Sequence, residues 1–177
     1  GGLAGVANCL ISSSYNLGTI TGEYATNMEP CAGGLIGGKS TNGSTVYVIN
    51  NCYNTGNVTS KAKINGKSYA GGLAGRANIS VYNFYNSGTV TATSWGTSTS
   101  GNQINGWIAG AVSGTITVRN AYTTVSLLAN PVGSGNCLEG FGILTVAELN
   151  AKVNEYLGDA FEYSSTYGRV ILKIENK

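Results

Sequence analysis

Few residues in this chain could do chemistry, and their types set the first limits. There is no histidine, which removes Ser-His-Asp and Cys-His nucleophile systems, the histidine-bearing metallopeptidase signature and zinc sites that need imidazole. Glycan-cleaving enzymes need paired carboxylates, either as acid and base or as calcium ligands. The sequence has one aspartate, Asp159, and ahead of residue 138 only Glu23 and Glu29. Those two stand six apart in one stretch and read as solvated loop carboxylates. Gly33-Gly34-Leu35-Ile36-Gly37-Gly38-Lys39-Ser40 fits the letters of a phosphate-cradling loop. No amphipathic helix follows Ser40, and sister phrases at Gly1 and Gly71 lack the Lys-Ser pair. The match is a by-product of repetition, so no catalytic residue, metal site or cofactor is expected.

Cys9, Cys31, Cys52 and Cys137 lack the Cys-x-x-Cys spacing of a metal site. Aligned by repeat, Cys9 falls in the column of Ile79, Cys31 in that of Tyr69 and Ile104, and Cys52 in that of Phe84 and Ala121. They read as small buried hydrophobes, with a disulfide left open by the extracellular character argued below. Lys61, Lys63, Lys67 and Arg76 read as a solvated loop. A net charge of +2 and no basic run interleaved with aromatics argue against nucleic acid. The residues that could bind something are Trp95 and Tyr24, because aromatic faces offer sugar rings apolar area at little entropic cost. Host or bacterial glycans and surface proteins are the partners this suggests.

The elements that must position such residues are repeated. Gly-Gly-Leu-Ala-Gly opens units at Gly1, Gly33 (with Ile36 for Ala) and Gly71, and Gly106-Trp107-Ile108-Ala109-Gly110 is a worn copy. Each opening is followed by a closing phrase: Ile11 to Ile20, Ile49 to Val58, Val81 to Val90 and Val118 to Leu127. Ile or Val leads, Tyr sits four residues on, and Asn-x-Gly follows in three copies. The steps of 32, 38 and 35 residues fall in the range of stacked-repeat folds. Strand side chains alternate with a period of two, yet the apolar ends of each closing phrase are nine apart. The Asn-x-Gly is therefore read as a left-handed corner between two short strands. Asn16, Asn54 and Asn86 would then stack and bond amide to amide. The opening phrase supplies a third strand, with Leu3, Leu35, Leu73 and Ile108 as one inward column and Ile20, Val58, Val90 and Leu127 as another.

This is an all-β repeat, a right-handed parallel β-helix of about four coils over residues 1–130. The stretches around residues 22–30, 60–68 and 92–102 leave the coil at one place and gather on one lateral face. Residues 131–177 hold six of the eight acidic residues and read as a C-terminal α+β cap over the end of the stack. Thr145-Val146-Ala147-Glu148 is a capping box, Val146, Leu149, Val153 and Leu157 recur at helical spacing, and Gly158 stops a helix of about 146–157. Two short strands follow, within residues 161–163 and 170–174.

Gly at 27 of 177 residues is about twice average usage, while charge at 10% is under half of it, and Asn, Ser and Thr supply the polar surface. That is the habit of extracellular β-rich proteins. No stretch reaches the roughly 20 apolar residues of a membrane span. The sequence starts inside a repeat phrase and reads as a fragment of a longer chain with its targeting signal upstream.

The paired phrases, Gly-Gly-Leu-Ala-Gly then Tyr-Asn-x-Gly-x-Val, resemble the GLUG repeat motif of bacterial surface and secreted proteins. The resemblance covers residues 1 to about 127. Tyr156-Leu157-Gly158-Asp159-Ala160-Phe161 leading to Val170-Ile171-Leu172-Lys173 is similar to the segment that often follows such repeats. It implies an accessory module, adhesin-like or lying beside the catalytic domain of IgA-cleaving metallo-endopeptidases, and not the catalytic part.

Overall fold

Each closing phrase is rich in β-branched and aromatic residues, which favour strands, and each is laid on its predecessor. The computed structural model describes residues 1–24, 29–38, 46–62, 66–94, 103–126, 130–138 and 140–176. The first repeat holds β1 (Ala4–Val6), β2 (Ile11–Asn16) and β3 (Ile20–Tyr24). The second holds β4 (Cys31–Gly33), β5 (Ile36–Gly38), β6 (Tyr47–Asn54) and β7 (Val58–Ala62). The third holds β8 (Ser68–Gly71), β9 (Ala74–Arg76), β10 (Ile79–Asn86) and β11 (Val90–Ser94). The fourth holds β12 (Gln103–Gly106), β13 (Ala109–Ile116) and β14 (Val118–Thr123).

Equivalent strands pair side by side from repeat to repeat, in the orders β1-β5-β9-β13, β2-β6-β10-β14, β3-β7-β11 and β4-β8-β12. The pairing is parallel, with Ile49 between Ile11 and Val81, Tyr53 between Tyr15 and Tyr85, and Val58 between Ile20 and Val90. These are the columns expected from the aligned phrases. Two further strands, β15 (Val132–Cys137) and β16 (Phe141–Ile143), pair in parallel with β13 and β14. Parallel pairing thus runs on past residue 130. One apolar cluster fills the inside, with Leu35, Leu73, Ile108, Ile49, Val81 and Phe84 fully buried. Leu127, the fourth member of the second column, lies outside the described residues.

Several expectations are corrected. A full repeat has four strands, not three, because the opening pentapeptide is a corner: β4 ends at Gly33 and β5 begins at Ile36, with Gly34 and Leu35 turning between them. The second glycine is needed for closeness, since a Cβ on Gly34 would lie 2.5 Å from Asn54 Cγ, and one on Gly72 would lie 2.7 Å from Asn86 Cγ. In the fourth repeat the asparagine is Thr123, and Trp107 takes the glycine's place.

The left-handed residue is also not where the Asn-x-Gly reading puts it. Positive φ occurs at Ser13, Asn51, Asn83 and Asn120 (47°, 52°, 53° and 54°), one column three residues ahead of the ladder asparagines. These residues drop out of the strand register, which passes from Tyr82↔Asn50 to Phe84↔Cys52. One residue out of step shifts the alternation and reconciles the odd spacing. Gly56 serves a different need: a Cβ there would meet Asn16 Nδ2 at 2.7 Å.

The expected helix is two short ones, α1 (Val146–Ala151) and α2 (Val153–Leu157), broken at Lys152 (φ −131°, ψ 36°). Its capping box forms, with Glu148 N–H donating to Thr145 Oγ1 at 3.1 Å and Thr145 N–H donating to Glu148 Oε2 at 2.8 Å. Antiparallel β17 (Phe161–Ser164) and β18 (Arg169–Leu172) follow, then a turn of 3-10 helix at Lys173–Asn176. This segment lies along a side of the stack, its apolar residues clustered with Tyr53 and Tyr85.

Candidate functional site

The recurrent tyrosines point away from the interior and build one row of rings. Tyr15, Tyr53 and Tyr85 stack with centroids 5.0 and 4.9 Å apart and planes within 7°. Phe161 meets Tyr85 edge-on at 6.2 Å, and Tyr156 meets Tyr122 edge-on at 5.1 Å. Over Tyr53 sits a polar knot that the sequence did not announce. Its hydroxyl donates to the Glu175 carboxylate at 2.9 Å and accepts from Arg169 Nη1 at 3.1 Å. Glu175 also accepts the Leu172 N–H at 2.8 Å. The Arg169 guanidinium lies 5.6 Å from the Tyr53 ring centre and 5.2 Å from that of Tyr167. Tyr85 donates to the Val170 carbonyl.

Burial, then the bond to Glu175, pushes the Tyr53 phenol well above its ordinary value, and burial does the same to Tyr85. A phenol moved in that direction keeps its proton at neutral pH and is a poor general base. The carboxylate, guanidinium and hydroxyl satisfy one another, so the knot fastens the C-terminal segment. Beside it, Ser87, Thr124, Asn150 and Arg169 line a hollow of about 120 Å³, below the roughly 300 Å³ at which small-molecule sites begin. A shallower hollow of about 390 Å³ lies along Thr117, Val118, Arg119 and Leu138.

The asparagines form two ladders. Asn16 Nδ2 donates to Asn54 Oδ1 and Asn54 Nδ2 to Asn86 Oδ1, both at 2.8 Å. Each of the three also donates at 2.7 Å to the carbonyl two residues on, at Gly18, Gly56 and Gly88. The left-handed column makes the second ladder, Asn83 Nδ2 to Asn51 Oδ1 at 2.8 Å and Asn120 Nδ2 to Asn83 Oδ1 at 2.9 Å. Asparagine is the third residue of three closing phrases, Asn51, Asn83 and Asn120. That recurrence of a residue tolerant of positive φ was the available signal.

Tyr24 is 43% exposed at the end of β3. Trp95, Lys39, Ser40 and Lys63 lie outside the described residues. Glu29 is held at 3.0 Å by Arg76, whose guanidinium lies 5.3 Å from the Tyr69 ring centre. Arg76 is therefore a partner of Glu29 and Tyr69 and not part of a loose basic loop. Glu23 stands opposite Lys61 in the β3–β7 register.

All four cysteines are free thiols. Cys52 is buried as expected, and burial pushes its thiol up to about 11. Cys9 is exposed, contrary to its column, because the first repeat has no neighbour on that side. Cys31 and Cys137 are half-buried, and burial pushes both thiols up. Among the described residues no helix is long and apolar enough to cross a membrane.

Against known proteins, the similarity lies in three dimensions. The chain resembles the crystal structure of a "putative immunoglobulin A1 protease" from Bacteroides ovatus, with a TM-score of 0.61 over 93% of its residues at 20% identity. The likeness is one of fold. The chain spans 57% of that protein's resolved chain. No protein-family model and no curated protein matches the sequence.

Proposed function

We propose that this chain is a non-catalytic structural and interaction module of a bacterial cell-surface or secreted protein: a GLUG-type parallel β-helix serving as stalk or display segment outside the cell. The observation that carries the reading is where the recurrent polar residues go. The asparagines present in successive repeats donate to one another and to neighbouring carbonyls, and Tyr53, Tyr85 and Tyr122 are covered by the C-terminal segment. What repetition maintains is the contact between coils, the quantity on which repeat-protein stability depends. Tyr24, exposed at the end of β3, is then where glycans or surface proteins would dock. The test is to assay the purified protein for polysaccharide turnover. Cleavage lost in Glu23→Gln or Glu29→Gln would replace this reading with an enzymatic one.

A second reading, an accessory region of a secreted protease, draws support from the Bacteroides ovatus likeness. Binding of immobilised immunoglobulin A1 by the isolated protein supports it. Failure to bind, with the thermal transition intact, counts against it.

A further inference from the structure

The sheet β2-β6-β10-β14 turns one face to the core, and its outer face carries side chains in register. At the second position of the closing phrase stand Ser12, Asn50, Tyr82 and Arg119, partners from repeat to repeat. On one side of them runs the left-handed ladder of Asn51, Asn83 and Asn120. On the other run Val48, Ser80 and Thr117. These columns hold no carboxylate.

Tyr82 is half-buried and Arg119 exposed. Among the described residues neither side chain makes a hydrogen bond, ion pair or ring contact, in contrast to Tyr53 and Arg169, which bond each other. The ladder leaves further groups unspent. Asn83 Nδ2 lies 3.4 Å from Asn50 Oδ1, so Asn50 keeps its own amide N–H groups, and Asn120 Oδ1 receives no bond among the described residues. Beside Arg119 the face falls into the hollow of about 390 Å³ along Thr117 and the 55% exposed Leu138, a volume within the range of small-ligand sites.

Each of these groups has a counterpart on one kind of molecule. A pyranose lays its C–H face on an aromatic ring, which gives apolar contact at little entropic cost. Its hydroxyls suit amides, which both donate and accept. A guanidinium with free N–H groups takes a carboxylate in two-pronged fashion. Partners on neighbouring strands stand roughly 4.8 Å apart, close to the length of one pyranose unit. A sugar chain laid along the stack therefore sets successive residues over Asn50, Tyr82 and Arg119.

We propose that this face binds an acidic oligosaccharide along the stack, with a pyranose on Tyr82, its hydroxyls on Asn50 and a uronate carboxylate on Arg119 at the mouth of the hollow. The site lies on a different sheet from Tyr24, whose strand β3 pairs with β7, so it goes beyond the reading above and fails separately from it. These columns supply no acid and base pair to cleave a glycosidic bond, and the site holds the glycan without turnover.

The experiment titrates tetrasaccharides cut from polygalacturonate, hyaluronan and alginate, each with its carboxyl-reduced counterpart, into the full chain by isothermal calorimetry. At least one acidic tetrasaccharide binds and is recovered uncleaved. Carboxyl reduction and Arg119→Gln each weaken it by at least about tenfold, and Tyr82→Ala by about tenfold, with the thermal transitions of both variants kept. Lys67→Gln, which removes an exposed cation elsewhere, leaves the affinity unchanged.

The proposal is overturned if no acidic tetrasaccharide binds, if the reduced forms bind equally well, or if Lys67→Gln weakens binding as much as Arg119→Gln. It is also overturned if Tyr24→Ala abolishes binding while Tyr82→Ala and Arg119→Gln leave it intact; the glycan then sits at β3 and only this site is refuted. Cleavage of a bound tetrasaccharide removes the non-catalytic reading as well.

Discussion

Replacing one leucine of the inner column should depend steeply on which coil holds it. Leu73 is fully buried between Leu35 and Ile108, its backbone bonded to both neighbouring coils at 2.9 and 3.0 Å. Leu73→Ala removes three buried carbons, worth about 2.4 kcal/mol at about 0.8 kcal/mol each. It also leaves a hole that coils fixed on both sides close only in part, which adds roughly 1–2 kcal/mol. The total is about 4 kcal/mol, or roughly 8–16 °C in Tm for a chain of this size. Leu3 is 53% exposed with a neighbour on one side, so Leu3→Ala forfeits about half the transfer term and opens no enclosed hole, near 1 kcal/mol. Urea titrations of both variants, followed by circular dichroism and tyrosine fluorescence, measure the difference. Equal losses, or a larger one for Leu3→Ala, would refute the stacking order on which the fold description depends.

The ladder and the edges yield further outcomes. Asn54→Leu should cost about 3 kcal/mol, because it breaks three buried bonds and strands their partners. Asn57→Ala, at an exposed site bonded to Thr89, should cost under about 1 kcal/mol by the same melt. Thr123→Asn should destabilise the chain while Trp107 is present and be tolerated with Trp107→Gly, a coupling of at least about 1 kcal/mol in a double-mutant cycle. At pH 8 iodoacetamide should label Cys9 and spare Cys52, whose thiol is buried and raised to about 11, as read by peptide mass spectrometry. Bonds from Thr145 hold the Glu148 carboxyl below its ordinary value. Its stabilising contribution is therefore present above about pH 4.3 and lost as pH falls through the lowered value. Glu148→Gln should flatten that limb of an acid titration followed by helix ellipticity.

What the sequence made legible was whatever recurs in register. The leucine column, the Asn16-Asn54-Asn86 ladder and the pairing of Cys52 with Phe84 follow from aligning phrases, because a parallel stack sets like upon like. The Thr145–Glu148 box is local and was equally plain. The fourth strand was hidden because Gly34-Leu35 turns a corner through close packing on Asn54, and packing against a distant residue leaves no periodic trace. The left-handed column was masked by Ser13 in the first copy and by the stronger turn signature of Asn-x-Gly. The knot of Tyr53, Arg169 and Glu175 joins residues more than a hundred positions apart, two of them outside any repeat. The recurrence of tyrosine gave no sign of what would cover it.

The position of the C-terminal segment has a mechanical consequence. It grips Tyr53 through Glu175 and Arg169, Tyr85 through Val170 and Phe161, and Tyr122 through Tyr156, so one strap crosses the second, third and fourth repeats. An unbraced array sheds its end units one at a time. Here the fourth repeat can peel away only if the strap lifts from all three, whereas Tyr15 of the first repeat touches the row only by stacking on Tyr53. The three strapped repeats should therefore behave as one unit: force or a protease acting from the C-terminal side meets a single large barrier.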